Sequence, residues 1–336
     1  MHHTTEPLSM TLAASAPPER LLSVVVIGLN EAACLVAALR SVFATVPPGW
    51  RLEVFYVDSG SRDNSVALAL GVEGVEVIHL NDPAPSAAKA RNKGIGLARG
   101  EYIQLVDGDS ILQRGWLEGA IRLLDADSSV ACTFGHCVES NGQRSVYMRV
   151  CGLDWHVPPG DRRYSGGNAM WRRPVLQGSG GFNPALPVGE EPDLCYRVRQ
   201  QGWRIVCIDA PMVKHDLGMY TFAQYWRRAV NSGKAYALVA SRYWLNREKF
   251  WLYELLRNFA EPLLWIVVMS AGFRVGGLPI GIAALMAWWS LRVLRIAIKV
   301  RRRAGTLADA ILYGLHIQAI RIPMLIGQLT ALLRVR

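Results

Sequence analysis

From Leu21 onward, short apolar runs alternate with alanine- and leucine-rich stretches of helical character. Ser23 to Ile27 is a continuous β-branched run, the pattern of a strand buried on both sheet faces. Similar runs over Leu52–Val57, Val75–Leu80 and Tyr102–Val106 predict three more strands. Between them the chain predicts helices from Asn30-Glu31 to about Ala44, from an Asp63-Asn64 cap through Leu70, and from Ser86 to Ala98. Strand–helix alternation of this kind predicts a mainly parallel α/β sheet, which places ligands beyond the carboxyl ends of its strands. Gly28-Leu29-Asn30, Asp58-Ser59 and Asp107-Gly108-Asp109 all fall at such ends.

The second half is less regular. Val130–Val138 reads as a strand, and 141–165 as a mixed, flexible stretch. A helix opens at Gly189 and runs to about Gln201, a strand covers Arg204–Asp209, and an amphipathic helix covers Thr221–Ala240. Past Trp251 the chain turns apolar. Pro262–Phe273 and Leu278–Leu291 are each short of the ~20 residues that span a bilayer, and pair best as a hairpin turning at Gly276-Gly277. Leu307–Leu333, interrupted by His316, Gln318, Arg321 and Gln328, reads as an interfacial amphipathic helix. Three parts follow: a tail over 1–20, an α/β domain over 21–240, and a helical region over 241–336 that either touches a membrane or forms a soluble helical subdomain.

Charge sharpens this division. The formal charge is +10, yet residues 251–336 hold eleven Lys/Arg against three Asp/Glu, so the excess belongs to the apolar tail. That pairing points to an anionic membrane surface. Nucleic acid is set aside, because no basic stripe accompanies a recognisable binding motif. Arg301-Arg302-Arg303 after the hairpin places that end on the cytoplasmic side. The six cysteines lack zinc spacing and read as reduced, mostly buried thiols. Residues 1–20 are polar and lack the apolar core of a signal peptide, with His2-His3 as tail residues.

The chemistry centres on Asp107 and Asp109. Two carboxylates held one residue apart repel unless a cation or proton separates them, and hard oxygen ligands suit Mg²⁺ or Mn²⁺. The alternative is an ordinary Asp-Gly surface turn. Gly94-Ile95-Gly96 precedes a strand instead of following one, so it is no dinucleotide fingerprint. Ser165-Gly166-Gly167-Asn168 would let backbone approach a ligand closely. Asp193 suits helix capping, but the Glu190–Glu191 pair exceeds what capping needs.

In order, these pieces resemble the family 2 glycosyltransferases of GT-A fold over roughly residues 21–240. Val25-Val-Ile-Gly-Leu-Asn-Glu31 is similar to the opening strand and turn, and Asp58-Ser-Gly-Ser-Arg-Asp-Asn-Ser65 to the nucleotide-binding stretch. Ala90-Arg-Asn-Lys-Gly-Ile95, Asp107-Gly-Asp109, Gly166-Gly-Asn168, Gly180-Gly-Phe182 and Gly189-Glu-Glu-Pro-Asp-Leu194 follow in the family's order. The resemblance implies donor-side roles for Gly28, Asn30, Glu31, Asp58, Arg91 and Asp107. It implies metal ligation by Asp107, Asp109 and His215, a catalytic base at Glu191 beside Glu190, and acceptor-side roles for Gly167, Asn168, Gln224 and Arg227. Two departures stand out. Ile27-Gly28-Leu29 replaces the usual Pro-Thr-Tyr, and Gln224-Tyr-Trp-Arg227-Arg228 lacks the last aromatic of processive synthases, which favours transfer of one sugar.

The implied function is an inverting, Mg²⁺- or Mn²⁺-dependent transfer of one sugar from a nucleotide-sugar donor. The acceptor is lipid-linked or a saccharide, in surface or exopolysaccharide assembly on the cytoplasmic face of the inner membrane. The alternatives are a polyprenyl-phosphate sugar synthase and a catalytically silent membrane scaffold of the same fold.

Overall fold

The computed structural model describes residues 19–334; of the tail predicted over 1–20, residues 1–18 lie outside the described residues, and Arg20 already opens the first strand. Four parallel strands form one half of the sheet: β1 (Arg20–Gly28), β2 (Trp50–Asp58), β3 (Val75–His79) and β4 (Tyr102–Asp107), in the order β3-β2-β1-β4. Helices α1 (Leu35–Phe43), α2 (Ser65–Leu70) and α3 (Ala87–Leu97) cross between them. Val24, Val25 and Val26 are fully buried, as the β-branched run requires of a central strand. Gly94 lies in α3 and packs on Val25, where a Cβ would collide with the valine methyls.

Register aligns the predicted polar clusters. Gly28 pairs with Asp58 and Ile27 with Asp107, so β1, β2 and β4 end on a common line. The sheet then reverses. β8 (Ala169–Arg172) runs antiparallel to β4, with Leu105 opposite Ala169, and this carries 166–168 up to Asp107. β6 (Val130–Glu139), reached from β4 through β5 (Ser110–Leu112) and α4 (Trp116–Ala126), pairs with β9 (Arg204–His215). The sheet is mixed beyond β4.

Three sequence expectations are corrected here. The strand predicted to stop at Asp209 continues to His215. Pro211 is accommodated at a register shift against β6, and the end of the strand pairs with β5, Ser110 facing His215. The stretch 141–165 is ordered as a short 3₁₀ turn, α5 (Val146–Gly152), a second turn at Leu153–Trp155, and β7 (Gly160–Arg162). Met148, Val150 and Cys151 of α5 pack with Met219, Tyr225, Ala229 and Ile320, partners too distant in sequence to register as a local pattern.

The third correction concerns 307–333. It forms two helices, α10 (Leu307–Ala319) and α11 (Arg321–Arg334), with Pro323 in the first turn of the second, where a missing N–H is tolerated. These follow α6 (Arg173–Gly178), α7 (Glu190–Gln200), α8 (Phe222–Tyr243) and α9 (Leu252–Ala304). α11 does not lie free: a Cβ on Gly233 of α8 would overlap Met324, and one on Gly327 would overlap Val230. The glycines let the two backbones touch.

The hairpin reading is reproduced. Gly277, at φ 73°, turns α9 back on itself. Gly272 and Gly281 meet where the legs cross, and Trp265 contacts Trp289 edge-on at 4.9 Å. Leu263, Ile266, Val267, Met286 and Leu291 project outward, exposed. The 252–304 stretch is long and apolar enough to cross a membrane and is mostly uncovered by the protein, whereas more than half of the apolar stretch within 307–333 is buried in it.

Candidate active site

The aligned strand ends open into a cavity of about 270 Å³ lined by Gly28, Glu31, Arg91, Asp107, Asp109 and His215, among others. Asp107 is held from three sides. Its backbone N–H donates to Asn168 Oδ1 at 2.9 Å, Asn168 Nδ2 donates to its Oδ2 at 3.2 Å, and Arg91 donates to its Oδ1 at 2.9 Å. Both carboxylate oxygens are therefore engaged. Asp109 is freer: His215 Nε2 lies 3.2 Å from its Oδ1, while His215 Nδ1 is buried without a partner. Trp155 meets the His215 ring edge-on at 5.0 Å and limits its swing.

Electrostatics mark the same spot. Burial, with the charges of Asp109, Asp107 and Asp63, pushes Glu31 up to about 7. Burial also raises Asp109; His215 opposes the rise and Asp107 adds to it. Three crowded carboxylates and one imidazole make a donor set deficient in positive charge. Their oxygen and nitrogen chemistry fits a hard divalent cation, with Asp109 and His215 as the available pair.

The Asp58–Ser65 stretch forms one wall. Ser61 Oγ, Ser65 Oγ and Asp63 Oδ2 accept from the backbone N–H groups of Asn30, Glu31 and Ala32 at 2.8, 2.9 and 3.1 Å. Asn30, at φ 60°, returns the contact by accepting from Arg62 N at 2.8 Å. Asp58 is buried and accepts from Gly60 N, Ser61 N and the Tyr56 hydroxyl. Asn30 and Asp58 thus build the wall, whereas Gly28, Glu31 and Arg91 line the cavity itself.

Arg91 joins this cavity to the next. Its Nη1 donates to Glu190 at 3.2 Å and to Glu191 at 3.1 Å, while Nη2 holds Asp107. The guanidinium lies against the Phe182 ring, 5.3 Å from its centroid. Gly167 closes over it; a Cβ there would overlap the guanidinium. Glu191 then faces a second cavity of about 430 Å³ shared with Asp107, Gly167, Asn168, His215 and Arg228. Burial and the neighbouring Glu191 charge push Glu190 up to about 7 against the pull of Arg91.

Farther out, Glu190, Glu191, Arg227 and Arg228 border a cleft of about 640 Å³. Gln224 borders it too, but its Oε1 accepts from Tyr220 N and Thr221 N, both at 2.9 Å. It caps α8. Asn168 both holds Asp107 and lines the second cavity.

Some contributors escaped sequence reading. Arg228 borders both the second cavity and the outer cleft, but it stood in the sequence as one of two adjacent arginines. Asn92 fixes the Phe182 loop by bonding its N–H and C=O at 2.8 and 2.7 Å. Asp193 is no cap. Fully buried, it takes Arg197 at 2.9 Å and the Tyr243 hydroxyl at 2.6 Å, tying α7 to α8 beneath the acidic pair.

Residues 23–178 match the model of glycosyl transferase family 2. Those residues, just under half of the chain, form a family 2 glycosyltransferase domain. It is 33% identical over 144 residues to a glycosyltransferase of Streptococcus pneumoniae, covering 41% of this chain and 46% of that protein. It is 25% identical over 218 residues to the pre-mycofactocin glycosyltransferase of Mycobacterium tuberculosis, covering 60% of this chain and 44% of that protein. The chain thus spans less than half the length of these curated relatives. Its fold is that of GT-A enzymes. A mannosyltransferase of Pyrobaculum calidifontis, solved with GDP-mannose and Mn²⁺, superposes with a TM-score of 0.63 at 18% identity, over 90% of this chain and 87% of that one.

Proposed function

We propose that this family 2 chain transfers one sugar from a nucleotide-sugar donor to a lipid-linked acceptor, with inversion, in surface or exopolysaccharide assembly. The observation that carries the reading is the position of Arg91. One buried guanidinium binds Asp107 at the donor-side cavity and Glu190 and Glu191 at the acceptor-side cavity. A sugar seated over Gly167 would lie between the two carboxylate groups. Glu191 borders the space where an acceptor hydroxyl enters, and is placed to take its proton. Glu190 does not border that space and stays buried beside Arg91.

Asp109 and His215, backed by Asp107, would hold Mg²⁺ or Mn²⁺, which supplies charge neutralisation to a departing diphosphate. Arg91 and Asn168 keep Asp107 in place for that role. The exposed apolar hairpin and its basic foot support attachment to the cytoplasmic face of the inner membrane, where a lipid-linked acceptor would reach Glu191 from the α8 side.

The test is a panel of UDP-, GDP- and dTDP-sugars with Mn²⁺ or Mg²⁺, against lipid-linked saccharides and a bare polyprenyl phosphate. One donor should bind in a metal-dependent way and lose that binding in Asp109→Asn. Metal-independent binding of every donor, or of none, would defeat the proposal. Turnover with bare polyprenyl phosphate alone would move the assignment to a polyprenyl-phosphate sugar synthase.

A further inference from the structure

Where the hairpin meets α11, the helices bury charge that they do not neutralise. Arg321, only 6% exposed, donates to Asn258 Oδ1 at 2.7 Å, and its Nε has no partner. Its charged neighbours are Arg257, Glu261 and Arg292. Glu261 is already paired with Arg292, and Glu254 with Arg163 at 3.5 Å. Among the described residues no carboxylate lies within ion-pair distance of Arg257 or Arg321. Buried guanidinium charge without a counter-ion is costly, and such groups within a membrane segment mark a ligand or an ion path.

The unpartnered atoms are the donors Arg257 Nε, Arg321 Nε and Asn258 Nδ2 and the acceptors Glu254 Oε2 and Glu261 Oε2, each acceptor on a carboxylate whose other oxygen already holds Arg163 or Arg292. The missing partner is therefore an anion rich in acceptor oxygens. Position identifies its carrier. At 1.5 Å per residue, Arg257 and Arg292 lie roughly 20–30 Å along the legs from the Gly276-Gly277 turn. The hydrocarbon core of a bilayer is about 30 Å thick, so a hairpin crossing it brings these arginines to headgroup level on the basic side. Arg292 keeps 30% of its side chain exposed and Arg257 is half-buried, so the cluster is open from the lipid side.

We infer that the seam formed by Arg257, Asn258, Arg292 and Arg321 is a binding site for the phosphate of a membrane lipid. The inference rests on the membrane reading of the hairpin. The phosphate belongs either to a bulk acidic phospholipid or to a polyprenyl phosphate. The site lies apart from the donor and acceptor cavities; its lipid would anchor α11, and through it α8, at the membrane face.

The full-length protein is floated with vesicles of phosphatidylcholine alone, with added phosphatidylglycerol, or with added polyprenyl phosphate. The retained lipid is then counted by native mass spectrometry, with inorganic phosphate as competitor. One acidic lipid per chain should be retained. Retention should weaken at least about tenfold in Arg257→Gln/Arg321→Gln, in keeping with two lost charge-assisted contacts, and stay unchanged in Arg122→Gln on the exposed face of α4. Arg257→Gln alone, at the less buried position, should give a partial loss if the double variant misfolds. Preference for phosphatidylglycerol or for polyprenyl phosphate names the source. Equal retention by wild type and variants, or retention of phosphatidylcholine alone, would overturn the site. Failure to float with any vesicle would overturn the membrane reading itself.

Discussion

Arg91 and Glu191 meet at 3.1 Å although one hundred residues separate them, and the contact joins α3, packed on the parallel half of the sheet, to the helix that carries the acidic pair. Because the same guanidinium holds Asp107, any change at this contact is felt in both cavities.

Asp109 is the carboxylate with free coordination, whereas both oxygens of Asp107 are already engaged. Asp109→Asn should therefore lower kcat/KM by about 10²–10³, the scale of a lost electrostatic contact to developing charge. It should also abolish the metal dependence of donor binding measured by calorimetry. Unchanged turnover in this variant would remove the metal reading.

Glu191→Gln should keep donor affinity and lose turnover by about 10²–10⁴, as for a missing general base. Single-turnover kinetics under saturating donor separate the two effects. A variant that loses donor binding instead would make Glu191 a structural partner of Arg91.

Gly167→Ala puts a methyl group where the Arg91 guanidinium now lies. Overpacking at such a buried contact costs about 1–3 kcal/mol. The expected result is a lower Tm together with weaker donor binding, because Arg91 must leave Asp107 to make room. Gly166→Ala meets nothing within 4 Å and should be near neutral in both assays.

Glu190 gives the stability a pH dependence of unusual sign. Burial raises its pKa in the folded state from an ordinary 4.5 to about 7. Between those values the folded chain holds more protons than the unfolded one, so this group's contribution to stability falls as pH rises. Relative to Glu190→Gln, the wild type should lose Tm between pH 5 and pH 8. A flat difference across that window would contradict the buried, strained carboxylate.

Gly327→Val should separate α11 from α8, since a side chain there overlaps the Val230 carbonyl. Limited proteolysis should then cut near Ile320 while donor binding, at strand ends far from α11 in the chain, persists. Loss of donor binding would show the tail to be part of the catalytic fold.

Much of the parallel half of the sheet was readable from the chain alone. Val24–Val26 can be satisfied only by burial on both faces, and Asp58, Asp107 and Asn30 sit where such strands must end, so local pattern decided their common edge. The Glu190–Glu191 pair and the Gly276-Gly277 hairpin were legible for the same reason: acid excess and glycine act within a few residues.

What the chain could not decide was reach. His215 meets Asp109 only because β9 runs on past Pro211 to pair with β5, and Asn168 turns to Asp107 because β8 reverses beside β4. The burial of α5 depends on Tyr225 and Ile320 from distant elements. Asp58 and Gln224 carried motif identities suggesting ligand contact, yet tertiary geometry aims both at backbone N–H groups beside them. Sequence patterning determines which faces must be buried; only the packed structure decides which polar groups find each other and which, like Arg257 and Arg321, are left for something else to satisfy.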